Sequence, residues 1–310
     1  MLYGNAITYH DTSIAPAARY KDLAGIGKRY AGQGPALYPA FDEYSEYFLR
    51  AERGSDTVNP AHGEFPFVPG APAPASGVNF SVPLNEIAQS FLQRFRLIVV
   101  PRNPIAERPP SDYELVEQSR YFQVWRRERP ASSVLDFTPL TGARKERTTK
   151  RICRAFVAKV RRLGSGADVA YAAPPEVVAT GLNLGPHPSY WAQIGQYAVL
   201  AAGAGTATTS VALPQAGRYS IWMEGSVGRR LGINLDGRRL GSLGYEERYP
   251  GQFLWLGEAT LTQGKHTLQV VRGNGTLHPG SGDAGPDGEG RTLGAIVFRR
   301  EDASNDRVYV

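Results

Sequence analysis

From residue 168 onward the sequence is a succession of short strands with no helix-length segment between them. "DVAYAA", "QYAVLAA", "TATTSVAL", "GRYSIWMEGS", "RLGINLDGRRLG", "FLWLGEATL", "KHTLQVVRG" and "GAIVFRR" are each bounded by Gly, Pro or Asn-Asp turns. Strands so closely spaced must pair antiparallel, as a sandwich or a barrel. Asp236-Gly237 is the strongest of the hairpin signals. Side chains alternate along a strand, so Tyr219, Ile221 and Met223 take one face and Ser220, Trp222 and Glu224 the other. Only one face of a two-layer sandwich looks inward. Trp222 is therefore either covered by something else or held out toward a ligand.

The first 130 residues have a different texture. "PAARYKDLAGIGKRYA" at 16–31 predicts a helix with Tyr20, Leu23, Ile26 and Tyr30 on one side. "GPALYPAF" predicts a strand, and "DEYSEYFLRA" at 42–51 a short helix with acids first and an arginine last. The Pro-, Gly- and Ala-rich stretch 53–83 reads as an extended loop. "LNEIAQSFLQRF" at 84–95 predicts an amphipathic helix capped by Asn85. "RLIVVP" predicts a buried strand and "DYELVEQSRYFQVWRR" a hairpin turning at "QSR". The expected organisation is α+β in two domains: a small α/β domain over 1–130, a linker with a basic helix over 131–167, an antiparallel β-sandwich over 168–300, and a tail over 301–310.

Net charge is +6, but nine Lys/Arg and one Glu fall between Arg144 and Arg162. The chain therefore carries one basic segment. Ile152, Phe156, Val160 and Leu163 give that segment an apolar stripe, so it predicts an amphipathic helix at 143–163. A solvated face on a packed helix is the expectation and contact with anionic lipid headgroups the alternative. No aromatic platform or reading motif accompanies the charge, so nucleic acid is not an expected partner. Cys153 is the single cysteine, which excludes an intrachain disulfide. The five histidines lack zinc spacing, and no stretch approaches the roughly 20 apolar residues of a membrane helix. The N-terminus lacks a signal-peptide layout, so any export address is expected to lie outside this sequence.

"LPQAGRYSIWMEGS", "INLDGRRLG", "GQFLWLGEATLTQGKHTLQVVRG" and "LGAIVFRR" together resemble the jelly-roll carbohydrate-binding modules of secreted and cell-envelope enzymes. That resemblance implies a jelly-roll sandwich recognising polysaccharide or glycolipid. "YKDLAGIGKRYAGQGPALYPAFDEYSEYFLRA", "RLIVVPRNPIAERPPSDYELV" and "SRYFQVWRR" are similar to the soluble part following the membrane helices of bacterial glycosyltransferases of the GT-C type. This implies an extracytoplasmic, membrane-tethered location with the membrane half of the same polypeptide as partner. The family's catalytic acid lies in a membrane-helix loop that this chain lacks, so no catalysis is expected of the isolated chain.

A saccharide surface needs flat rings for sugar faces and planar polar groups for hydroxyl pairs. Candidates are Trp222, Tyr245, Tyr249, Phe253 and Trp255, with Glu224, Glu246, Arg229, Arg248, Gln252 and His278 as polar partners. "GYEERYPGQFLW" at 244–255 alternates rings with charges, which a purely internal strand would avoid. Asp283, Asp287 and Glu289 in the glycine-rich loop 276–291 are the candidate ligands for a Ca2+ ion, although their spacing does not follow a D-x-D-x-D loop. Hydrolytic signatures are weak. Ser165, Ser226 and Ser281 lack the upstream glycine of a nucleophile elbow, "GIGKRYAG" stops short of a dinucleotide fingerprint, and Glu224 with Glu246 is the one carboxylate pair to consider. Two alternatives to glycan binding by a glycosyltransferase fragment stay open: a self-contained glycan-acting hydrolase, and a structural scaffold.

Overall fold

The computed structural model describes residues 16–40, 44–56, 66–67, 82–106, 108–130, 146–163, 168–172, 175–246, 251–277, 291–302 and 307–309. They form two compact units, one built chiefly from Glu176–Ala303 and one chiefly from Leu23–Gly77, Ser81–Pro175 and Ser304–Val310. The class is α+β, with antiparallel sheets dominating.

In the smaller-sheet unit, α1 (Ala17–Arg29) and the turn that follows it bury Leu23, Ile26 and Tyr30, three of the four residues of the expected stripe. They join Tyr38, Leu97, Val99, Phe122 and Val124 in one apolar core. Five strands form the sheet in the order β2 (Ser55–Asp56), β1 (Ala36–Tyr38), β3 (Leu97–Pro101), β5 (Phe122–Arg127), β4 (Tyr113–Gln118). The β1 pairings are parallel, whereas β3–β5 and β4–β5 are antiparallel. The hairpin β4–β5 turns at Ser119–Tyr121, as "QSR" predicts. Ser119 secures the turn, its amide donating to the Phe122 carbonyl at 2.9 Å. Helix α1 brings Gly27 onto the Phe48 carbonyl, where a Cβ would lie 2.0 Å from the oxygen. That glycine serves helix packing.

Two helical expectations are corrected here. The 42–51 segment is a four-residue α2 (Ser45–Phe48) and a 3-10 turn, Arg50–Glu52. The 84–95 segment is broken: a 3-10 turn at Leu84–Glu86 is followed by extended Ile87 and Ala88, then by α3 (Gln89–Leu92). Ile87 bridges Phe67, and the Ala88 amide donates to the Pro66 carbonyl at 2.8 Å. The Ala88 amide, which a continuous helix would have turned back on itself, is spent on this neighbouring stretch of chain. Buried Tyr113 then secures the end of α3, its hydroxyl lying 2.6 Å from the Leu92 carbonyl and 2.5 Å from that of Phe95. Burial raises its pKa.

The basic segment forms α4 (Glu146–Leu163). Strand β6 (Ala170–Ala172), expected to open the sandwich, instead pairs antiparallel with β17 (Arg307–Tyr309) in a separate ladder.

The other unit is the sandwich, with jelly-roll character. One sheet runs β10 (Gly205–Leu213), β15 (Gly264–Arg272), β12 (Leu231–Leu235), β13 (Arg238–Leu243). The other runs β14 (Phe253–Leu261), β11 (Gly217–Gly225), β16 (Thr292–Arg300), β9 (Ala198–Leu200), β8 (Ala192–Ile194), with β7 (Val177–Thr180) also on β16. Every described pairing in both is antiparallel. Tyr219, Ile221 and Met223 enter the shared core with Ile233, Val270, Ile296 and Phe298, as the alternation of β11 demands. Asp236 (φ 49°) and Gly237 (φ 77°) turn the β12–β13 hairpin with both central residues left-handed, the geometry that selects Asp-Gly.

Candidate functional site

The outer face of the six-stranded sheet carries the even-numbered side chains of β11. In the ladder Trp222 stands opposite Trp255, and Glu224 opposite Phe253. Such cross-strand neighbours lie about 5 Å apart at their Cβ atoms, and diagonal ones within reach of a ring. Trp222, Trp255, Phe253 and Glu224 therefore form one cluster. The four differ in exposure. Trp255 is 38% exposed and Phe253 and Glu224 are half-buried, whereas Trp222 is only 4% exposed. Trp222 lies outside the sandwich core and is nevertheless covered; its Nε1 donates to Ser220 Oγ at 2.9 Å, and Ser220 is hydrogen-bonded to the Glu301 carboxylate. The question raised by "YSIWMEGS" thus has a split answer. Trp222 is the covered ring of the pair, and its partner Trp255 is the open one.

Glu224 has an unusual environment for an outer-face acid. Desolvation raises its carboxyl above the ordinary carboxylate value, with no charge contributing to the shift. Such a group accepts hydrogen bonds from hydroxyls at neutral pH without the full competition of bulk water.

β11 ends at Gly225 in a bulge where the backbone leaves the regular ladder. The glycine (φ 152°) sits where a Cβ would lie 2.1 Å from the Thr292 carbonyl. Its amide donates to the Gln252 carbonyl at 2.9 Å, and the Ser226 amide to that of Thr292 at 2.9 Å. Val227 and Glu246 exchange backbone hydrogen bonds at 3.2 and 2.7 Å, and Gln252 Nε2 donates to the Glu246 carbonyl at 2.7 Å. These bonds gather Arg229, Tyr245, Glu246 and Gln252 at one end of the sandwich. Arg229, Glu246 and Gln252 are buried there, so Gln252 and Glu246 build the rim. Tyr245, with φ 62°, lies half-buried with its hydroxyl 3.4 Å from Thr276 Oγ1.

Of the remaining expected residues, Arg248, Tyr249, His278, Asp283, Asp287 and Glu289 lie outside the described residues. Among those described, no three His, Cys, Asp or Glu side chains come together as a metal site. Sequence reasoning passed over Tyr190, which is 58% exposed with its hydroxyl 2.5 Å from the Ala204 carbonyl. Its setting in "PHPSYW" reads as a turn, and only the alternation of rings with polar residues there hinted at a surface aromatic.

No protein-family model matches the chain, and no curated protein does. Solved structures do. The GH26-CBM35 β-(1,4)-mannanase of Podospora anserina matches at 14% identity over 44% of this chain and 28% of its own, with a TM-score of 0.26. A family 35 carbohydrate-binding module from Clostridium thermocellum matches at 13% identity over 43% of this chain and 98% of the module, TM-score 0.24. The CBM36-1 domain of a multidomain xylanase from the hindgut metagenome of Trinervitermes trinervoides matches at 9% identity over 40% and 96%, TM-score 0.25. The chain thus spans less than a third of the mannanase. These names include no glycosyltransferase.

Proposed function

We propose that the sandwich binds polysaccharide through the outer face of its six-stranded sheet. The observation that carries this reading is Trp255, an indole open to solvent beside a desolvated carboxyl group, Glu224. Trp255 offers a flat apolar platform for one sugar face, and Glu224 accepts hydroxyl hydrogen bonds at its edge. Trp222 supports the platform from beneath the same face. Tyr245, with Arg248, Tyr249 and His278, extends the surface in this proposal, buried Glu246 and Gln252 holding the end of the sandwich behind it, and Ca2+ at Asp283, Asp287 and Glu289 belongs to it as a structural ion. The wider role is that of a non-catalytic glycan-acceptor-binding region of a bacterial cell-envelope glycosyltransferase, outside the cytoplasm and tethered to the membrane through another part of its polypeptide. The residues 20–51, 96–116 and 119–127 that resemble such enzymes support that part.

Titration calorimetry of the chain against envelope polysaccharides tests the reading. Trp255→Ala is expected to weaken binding at least about tenfold, equivalent to about 1.4 kcal/mol. Because this side chain is partly exposed, the variant remains folded. Wild-type affinity in Trp255→Ala, or no heat from any polysaccharide, refutes it.

A further inference from the structure

Helix α4 presents an amphipathic surface that the glycan reading does not use. It runs 18 residues from Glu146 to Leu163, about 27 Å at 1.5 Å per residue. Phe156, Val160 and Leu163 recur at spacings of four and three, within an arc of about 60° at 3.6 residues per turn. Val157 flanks that arc. In a helix packed on a core these side chains would be buried. Here Val157 is 46% and Leu163 43% exposed, and Phe156 and Val160 are half-buried. Arg154, Arg161 and Arg162 occupy the rest of the circumference and are exposed.

Charge makes the surface more specific. The helix sequence carries seven Lys/Arg against Glu146 alone. Arg154, Arg161 and Arg162, all exposed, carry part of that excess. In water this helix combines an exposed apolar stripe with a large excess of positive charge; both are relieved at an interface that is apolar on one side and anionic on the other. Alternating lipid tails and anionic headgroups supply that combination, whereas a nucleic acid supplies charge with no place for the aliphatic stripe. The helix is too polar to cross a bilayer: among the described residues none is long and apolar enough.

We infer that α4 lies in the plane of an anionic phospholipid surface, with Phe156, Val157, Val160 and Leu163 entering the acyl boundary and Arg154, Arg161 and Arg162 reaching the headgroups. The inference is independent of glycan recognition by the sandwich. Membrane contact through α4 places the chain against a bilayer whatever the sandwich holds.

Co-sedimentation of the full chain with vesicles is the test. Binding is expected to phosphatidylglycerol-containing vesicles, with none to pure phosphatidylcholine, and is expected to fall with added salt. Removing three charges in R154Q/R161Q/R162Q is expected to weaken it by about fivefold per charge, so about a hundredfold in all. V157D/L163D is expected to abolish it while far-UV circular dichroism and thermal unfolding stay as in the wild type, since neither side chain is packed. Trp255→Ala is expected to bind vesicles normally, which separates this failure from failure of the glycan reading. Equal binding to both vesicle types, indifference to both helix variants, no vesicle binding by the wild type, or helix-dependent binding to a short nucleic acid duplex without vesicle binding would each overturn the inference.

Discussion

At the β12–β13 turn, His266 is held between two acceptors. Its Nδ1 lies 2.7 Å from Asp236 Oδ2, and its Nε2 lies 2.8 Å from the Thr262 carbonyl. Neither partner has a proton to give, so both ring nitrogens must donate, and only the imidazolium has two N–H groups. Burial alone would lower the His266 pKa; the hydrogen bonds to Asp236 and Thr262 and the Asp236 charge outweigh it and raise the value. For Asp236 burial works upward, but the His266 and Thr267 donors and the imidazolium charge lower its pKa overall. The folded state thus holds the His266 proton more tightly than the unfolded chain does. This contribution is full below the unfolded imidazole value of about 6.5 and is lost as pH rises through the higher folded value. The Asp236 contribution runs the other way, present above about 3.9 and lost as pH falls through the lowered value. Hydrogen bonds to charged groups contribute about 1.5–3 kcal/mol. Because the Asp236 side chain is 46% exposed, solvent screening reduces the pH-dependent part to about 1–2 kcal/mol. Urea unfolding at pH about 5.5 and about 9 should show the wild type losing that amount. His266→Gln, which keeps one donor but cannot be protonated, should lose none of it. The reasoning is refuted if His266 titrates at or below about 6.5 by NMR, or if His266→Gln shows the same loss.

Three further outcomes follow from side chains already placed. Tyr113→Phe strips the hydroxyl from two buried carbonyls, those of Leu92 and Phe95, and should cost about 1–3 kcal/mol in chemical denaturation. Gly27→Ala should destabilise by about 1–3 kcal/mol despite alanine's better helix propensity, because the new Cβ collides with the Phe48 carbonyl; an unchanged thermal midpoint would contradict this. In calorimetry, polysaccharide binding should fall as pH drops through the raised Glu224 value, and Glu224→Gln should remove that dependence.

Features carried by local periodicity were readable in the residues. The Asp236-Gly237 hairpin was, because its two left-handed residues select those amino acids. The facing of β11 was, because alternation sends Tyr219, Ile221 and Met223 inward whatever the sheet order. Helix α1 was, through Leu23, Ile26 and Tyr30. Non-local partners were not. The 84–95 stripe satisfies helical spacing, but Ile87 is taken by Phe67 across a separation that no periodicity records. The covered state of Trp222 escaped for the same reason: alternation gives the direction of a ring and is silent about what meets it there. At the rim, Glu246 and Gln252 looked like open polar partners because their alternation with rings is real, yet their backbone and amide bonds close the end of the sandwich. Tyr190 was lost in a turn.

The small ladder between Ala170–Ala172 and Arg307–Tyr309 has a topological consequence. Paired strands lie about 5 Å apart, so the long stretch of chain between these two begins and ends at neighbouring points. A single protease cut anywhere between them would leave the two ends of the break still tied through this ladder.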